Sequence, residues 1–438
     1  MEEKVKQNDV VVAIDIGTTK VCAIAGRKDQ HGRLEVLGAG KVHSEGVLRG
    51  VVTNIEKTVQ AITSAANFAK KSAGIDFDSV HVGIAGQHIK TIQNRGMVTR
   101  ENDFSEIDQG DIDKLIGDMY KLVLPPGDKI IHIIPQEFTV DNEQGIMDPI
   151  GMSGVRLEAN FHIITGQITA ANNIFRCVER SGYQADSLTL EPIASAMAVL
   201  SYEEREAGVA LVDIGGGTTD ITIFQDGIIR HTAVIPFGGH VITKDIKEGC
   251  TVMTPQAEKL KVKYGSALAS EVYDNRIISI PGLRGHEPRE ISEKNLARII
   301  QARVEEILDC VIWEIKRSGY ERKLIGGIVL TGGGALLSNI EKLTEYRTGM
   351  STRIGLPVEQ LAHGYNESLS SPIYATAIGL LLKGLEENEG QFMEASAPLE
   401  EKQEAKVVHH AEPEEDKWYE TIFKKTKEWF ETEPDKDI

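Results

Sequence analysis

Three glycine-rich stretches carry the residue types that handle anionic oxygens. Asp15-Ile16-Gly17-Thr18-Thr19-Lys20 and Asp213-Ile214-Gly215-Gly216-Gly217-Thr218-Thr219-Asp220 each set an aspartate ahead of a Gly/Thr turn. Glycines at a hairpin tip let backbone N–H groups approach phosphate oxygens, threonine hydroxyls add donors, and an aspartate can hold a hydrated Mg2+ that neutralises the phosphates. Two such loops facing each other would clamp a polyphosphate, whereas either one alone reads equally well as a tight turn. The third stretch, Ile328 to Ile340, has the order strand, Gly332-Gly333-Gly334 turn, helix, which would lay backbone against a flat base. A glycine triplet by itself is a weak signal; its position after two phosphate-type hairpins is the specific one, and no GxxxxGK[ST] loop competes with it.

The elements that must position these loops follow from the patterning around them. Val10 to Gly26 and Val209 to Gly227 share one design, an apolar β-branched run, an Asp, a Gly/Thr turn and a second β-rich run, so both are expected to be hairpins of a duplicated domain. A helix over Ile55 to Ser72 and a strand over Ser79 to Ala85 complete the first repeat. Gly86 to Gly166 breaks the βα rhythm, with an acidic helix near Asp111 to Leu122, Pro125-Pro126, and strands at Lys129 to Ile134 and Ala159 to Thr165; it reads as an inserted α+β subdomain. In the second repeat, Met253 to Pro288 reads as a mixed helix and loop insertion. Glu293 to Arg317 then spaces Leu296, Ile299, Ile300, Val304, Ile307, Leu308, Val311 and Ile315 as one buried helical face ended by Gly319.

The chain has 438 residues, enough for two to four domains, and 48 Lys plus Arg against 66 Asp plus Glu give a net charge of −18, which argues against a general nucleic-acid binder. Half of that surplus lies between Leu385 and Asp416, which holds eleven acids and two bases and almost no large apolar residues. Such a segment buries too little surface to offset its ordering entropy and is expected to be a tether, its ends about 30 Å apart as a coil. Cys22, Cys177, Cys250 and Cys310 form no CxxC pair, which points to a reducing compartment, and neither a signal sequence nor a membrane-spanning run is present. The histidines show no metal-binding spacing, and Ser195 lies in an alanine-rich helical run without a nucleophile elbow, so it reads as packing.

Beyond the tether, Lys417 to Glu431 is a short amphipathic helix. At 100° per residue Trp418, Tyr419, Ile422, Phe423, Thr426, Trp429 and Phe430 fall within an arc of about 140°, and Lys417, Lys424, Lys425 and Lys427 occupy the rest. Aromatic residues on one face and lysines on the other suit a helix lying on an anionic membrane; a helix docked on the body or in a partner's groove has the same pattern.

The three glycine-rich elements, with two connecting helices at Leu190 to Leu200 and Pro372 to Leu382, resemble the actin, Hsp70 and sugar-kinase superfamily of ATP-binding folds. Within it, residues 10 to 384 resemble the bacterial cell-division family FtsA. The most family-specific stretches are Ile134-Pro135-Gln136-Glu137-Phe138 and Asp148 to Leu157 in the insertion, with Thr165-Gly166 nearby. The resemblance implies an α/β, actin-like, two-lobed duplicated ATPase fold. Its parts would be 1–85, first lobe; 86–166, inserted subdomain; 167–205, return to the first lobe; 206–250, second lobe; 251–318, second-lobe insertion; 319–384, adenosine motif and second connecting helix; 385–416, linker; and 417–431, membrane-targeting helix.

Carried over position by position, the resemblance assigns Asp15, Gly17, Thr18, Thr19, Lys20, Asp213, Gly215, Gly216, Gly217 and Thr218 to the phosphates of ATP, with Asp15 and Asp213 reaching Mg2+ through water. It puts Gly332, Gly333 and Gly334 beside the adenosine, and Glu258 with Lys261 by the base and ribose. Spacing alone would make that pair a solvated helix ion pair worth about 0.3 kcal/mol. Glu191 takes the position of a polar residue near the hydrolytic water, with at most slow ATPase activity, since no carboxylate base for a sugar hydroxyl can be assigned.

The same resemblance implies membrane contact through Trp418, Tyr419, Ile422, Phe423, Lys424, Lys425, Trp429 and Phe430, and makes Arg303 a contact for the C-terminal tail of the tubulin-like FtsZ. It implies self-assembly at the cytoplasmic face of the membrane at the division site, among other division proteins. An MreB-like filament or a small-molecule kinase of the superfamily are the other readings; the insertion and the amphipathic tail argue against both. An Hsp70 chaperone would need a substrate domain larger than the residues that follow Gly384.

Overall fold

The computed structural model describes residues 10–100, 106–273, 276–280 and 287–396. The β-branched runs flanking each Asp-Gly turn pair as antiparallel hairpins, Val11–Ile16 with Lys20–Lys28 and Val209–Ile214 with Thr219–Gln225. Each hairpin gains a third antiparallel strand, Leu34–His43 in one repeat and Ile228–Ile235 in the other. On its opposite side each takes two parallel strands, Ser79–Ile84 then Gln184–Leu190 in the first sheet, Ile328–Thr331 then Thr352–Ile354 in the second. Counted in chain order within its own sheet, each five-stranded sheet has the order 3-2-1-4-5. The repeat seen in the sequence is thus a duplicated unit.

Helices bury the faces of these sheets. Ile55–Ala73 starts at Asn54, whose side chain accepts from Lys57 N, and lays Ala61, Ile62, Ala65, Ala66 and Ala69 on the first sheet. Glu293–Ser318 presents Leu296, Ile300, Val304, Ile307, Leu308, Val311 and Ile315 to the second-lobe core, so the spacing predicted the buried face, with Ile299 only partly covered. Between the lobes, Ala194, Ala196 and Ala198 of the helix Glu191–Val199 join Ala375, Ala377 and Ile378 of the helix Ala375–Ser396 in a common core. Small side chains there let the two connecting helices approach closely.

The second connecting helix runs on to Ser396, past the expected start of the linker at residue 385. Glu, Gln, Met and Ala are good helix formers, and backbone hydrogen bonds extend a helix whether or not the segment has a core to cover. Nothing else of the linker, and none of 417–431, lies within the described residues.

The insertion is a four-stranded antiparallel sheet in the order Lys90–Thr99, Arg156–Gln167, Asp128–Val140, Glu143–Ile146. The helix Gln109–Met119 covers it over Leu115, Met119, Phe138, Leu157, Phe161 and Ile163. The sequence suggested a strand ending at Ile134, before Pro135. Instead the strand reaches Val140, because its register against Arg156–Gln167 slips there: Phe161 faces Pro135 and Asn160 faces Glu137, leaving Gln136 as the extra residue of a bulge. A bulge accommodates a proline, which has no N–H to give to the ladder. In the second lobe, Met253 to Pro288 resolves into the helix Thr254–Tyr264, a short turn of helix and the strand Ile277–Ile280, paired with Arg289–Ser292. Among the described residues no helix is long and apolar enough to cross a membrane.

Candidate functional site

The duplicated sheets turn their hairpin tips toward each other, and a cleft of about 260 Å³ lies between them. Asp15, Gly17 to Lys20, Glu191, Asp213, Gly215 to Thr218, Glu258, Lys261 and Gly332 to Gly334 all line it. The two tips nearly touch: a side-chain carbon at Gly216 would overlap the Thr19 methyl group. Each tip is a closed turn, with Gly17 N donating to Lys20 O and Gly215 N to Thr218 O, both at 2.9 Å. Thr18 Oγ1 accepts from Gly50 N at 3.2 Å, fixing the first tip to the neighbouring loop. The helix Gly239–Cys250 begins on the second tip, where Gly239 N and His240 N donate to the carbonyls of Gly215 and Gly216.

Carboxylates crowd one end of the cleft. Asp15 is buried and ion-paired with Lys20. Burial opposes the charge on Lys20, yet Asp15, Cys22 and Glu191 outweigh it and hold the ammonium well above its ordinary pKa. Burial raises the pKa of Glu191 strongly, and Asp15, Asp220 and Asp213 add to the rise. Asp220 is pushed up to about 8 by burial and by Asp213; its Oδ2 accepts from Thr218 Oγ1 at 3.2 Å, and its buried Oδ1 has no partner. Asp213 is raised by burial against the pull of Ser195 and Lys20. These groups repel one another and are short of positive charge, the condition a divalent cation relieves. Among the described residues no three His, Cys, Asp or Glu side chains converge closely enough to ligate a metal directly.

Ser195 does more than pack. Its hydroxyl donates to Asp213 Oδ2 at 2.9 Å and lies 3.0 Å from Thr376 Oγ1, so both connecting helices hold this carboxylate. Asp213 also abuts the third glycine turn: Gly332 has φ +79, and any side chain on it would meet Asp213 Oδ1. Sequence reasoning gave Ser195 only a packing role and assigned none to Asp220 or Thr376; Asp220 closes the motif Asp213 to Asp220, which was its available signal.

The cleft also has apolar lining. Val262, Leu336, Leu337 and Ile373 form a slot beside Gly333 and Gly334. The pair at its rim is no solvated ion pair. Lys261 Nζ reaches Gly239 O (3.0 Å), Thr243 Oγ1 (2.8 Å) and Glu258 Oε2 (2.9 Å). Burial would raise the pKa of Glu258, but Lys261 and Thr243 bring it below the ordinary value. Backbone donors, hydroxyls, two lysines, a carboxylate cluster and apolar side chains line one cleft, a set that can take a ligand with a polyanionic and an aromatic part.

Arg303 lies away from this cleft. Its guanidinium forks onto Asp245 of the helix Gly239–Cys250 and also pairs with Glu306. Trp418, Tyr419, Ile422, Phe423, Lys424, Lys425, Trp429 and Phe430 lie outside the described residues.

Comparison with known proteins agrees with this geometry. The family model for Cell division protein FtsA matches residues 210–379, and that for the SHS2 domain inserted in FTSA matches residues 86–165. The Cell division protein FtsA of Pseudomonas aeruginosa is 40% identical over 393 residues, 90% of this chain and 93% of that protein. That of Escherichia coli K12 is 35% identical over 390 residues, 87% of this chain and 92% of the relative. Among solved structures, the PilM-PilN type IV pilus biogenesis complex aligns with a TM-score of 0.63 at 14% identity, over 86% of this chain and 98% of that one. MreB5 of Spiroplasma citri bound to ADP aligns at 0.50 and 16% identity, over 88% of this chain and 98% of that one. The fold is that of the actin-like ATPases, and with relatives this similar over nearly their whole length the chain belongs to the FtsA family of cell division proteins.

Proposed function

We propose that the chain is an ATP-binding assembly protein of cell division that polymerises on the inner membrane surface and ties FtsZ filaments to it. The carrying observation is the cleft itself, where two duplicated hairpin tips, a carboxylate cluster and the Gly332 to Gly334 turn with its apolar slot meet. ATP fits the order of these groups. Its phosphates would lie between the tips formed by Gly17 to Thr19 and Gly215 to Thr218, with Lys20 displaced from Asp15 toward them. Its base would lie in the slot, and its ribose would be near Glu258 and Lys261. Asp15, Asp213 and Asp220 would face a hydrated Mg2+, which supplies charge neutralisation. Bound across both lobes, the nucleotide favours the closed cleft and so acts chiefly as a structural ligand.

Glu191, which lines the cleft, would orient a water at the phosphate end. Burial and the neighbouring aspartates raise its pKa well above the ordinary carboxylate value, and slow hydrolysis at most is expected. Arg303 can meet an acidic FtsZ tail only by giving up Asp245 or Glu306, so a tail carboxylate would compete with two existing partners. The segment Lys417 to Glu431 supplies the membrane contact, with polymerisation adding avidity to a weak single helix. The test is titration of the purified chain with a fluorescent ATP analogue, with and without Mg2+. Saturable binding that Mg2+ tightens and ATP displaces is expected, and no binding at millimolar nucleotide would defeat the reading.

A further inference from the structure

The inserted subdomain is rooted in the first lobe at residues 86 and 166, yet one of its strands touches both lobes. On one side, His132 Nε2 accepts from Leu190 N at 3.0 Å, the backbone group just before Glu191. Burial lowers the pKa of His132 to about 4, so at neutral pH its ring is uncharged and can accept. On the other side, the bulge at Gln136 aims two residues at the edge strand Ile228–Ile235 of the second lobe. Gln136 Nε2 donates to Ile229 O at 2.9 Å, and Glu137 Oε1 pairs with Arg230 Nη1 at 2.6 Å. The adjacent strand adds His162 Nε2, at 3.1 Å from Thr232 Oγ1. The guanidinium of Arg230 is almost wholly covered, which makes its partner the strong member of the set.

These contacts join the insertion to both lobes. The edge strand Ile228–Ile235 pairs with Thr219–Gln225, which begins at the second tip and carries Asp220. A ligand enclosed by both tips leaves only when the lobes separate, and separation carries the edge strand away from a subdomain fixed to the first lobe. We propose that the bulged segment Pro135-Gln136-Glu137 is a latch by which the insertion holds the cleft shut and slows nucleotide release. By reciprocity, a ligand on the insertion that opens the latch speeds release, and bound nucleotide strengthens the latch. This inference rests on the nucleotide reading of the cleft.

The experiment compares release of a fluorescent ADP analogue, chased with unlabelled ATP and Mg2+, from the full-length chain and from Glu137→Gln and Gln136→Ala variants. Arg230 keeps Asp226 and the Gln225 carbonyl when Glu137 is changed, so the fold is retained; Gln136→Ala removes no charge at all. The latch predicts release faster by about tenfold for Glu137→Gln and by a smaller factor for Gln136→Ala. It also predicts faster hydrogen exchange in Ile228–Ile235 with unchanged exchange in Arg156–Gln167. Nucleotide that binds and leaves at the parental rate from both variants overturns the latch alone. A parent that binds no nucleotide overturns the cleft reading and the latch together.

Discussion

Replacing Asp220 by Asn tests the electrostatics of the cleft. The carboxyl is pushed from an ordinary 3.8 to about 8 by burial and by Asp213. Below pH 8 the folded chain therefore holds a proton that the unfolded chain has already lost, and stability falls as pH rises between these two values. Buried histidines oppose this over part of the range: His88, His132 and His162 are lowered from 6.5 to about 4, so their contribution rises with pH up to 6.5 and then stops. Between pH 6.5 and 8 Asp220 stands clear of them. There it costs about 1.4 kcal/mol per pH unit, or about 2 kcal/mol over the window, a shift of a few degrees in melting temperature. Asparagine keeps the shape and the acceptor for Thr218 but does not titrate. Glu191 and Asp213, also raised, add to the loss in both proteins, so thermal melts without nucleotide or Mg2+ at pH 6.5 and 8 should show the parent losing more stability across the window than Asp220→Asn. Parallel profiles for the two proteins would refute the reasoning.

Three further substitutions address separate parts of the site. Lys261→Ala removes the cation shared by Gly239 O, Thr243 and Glu258, and should weaken ATP analogue binding by about tenfold in the same titration, with a lowered melting temperature. Gly216→Ala pushes a methyl group into Thr19 and should part the hairpin tips, lowering nucleotide affinity while leaving each lobe folded by circular dichroism. Ser195→Ala strips Asp213 of its nearer donor and leaves Thr376 at 3.4 Å; the cost should be about 1 to 2 kcal/mol in denaturant unfolding.

Local chemistry made much of this molecule legible in its sequence. An Asp before a Gly/Thr turn, flanked by β-branched runs, is enough to place a hairpin and its tip, and doing so twice exposes the duplication. Helical spacing from Leu296 to Ile315 names a buried face because burial depends on which side chains share one side. What escaped depends on residues far apart in the chain. Ser195 acquires its role only when Asp213 and Thr376 arrive from other elements, and Asp220 is unusual only because the fold buries it next to Asp213. Pro135 marks a strand end by local rules, and only the pairing with Arg156–Gln167 shows that a bulge carries the strand past it. The helix beyond Gly384 was hidden by composition, since acidic, apolar-poor sequence can be helical without a core.

The most direct test of the assembly account is liposome co-sedimentation of the full-length chain and of a version ending at Glu415, each with and without ATP and Mg2+, with the pellets viewed by negative-stain electron microscopy. The account predicts that only the full-length chain pellets with anionic vesicles, that Trp418→Ala with Trp429→Ala releases it, and that filaments cover the membrane only when ATP and Mg2+ are present. Equal pelleting of the truncated version, or no binding by either, would contradict it.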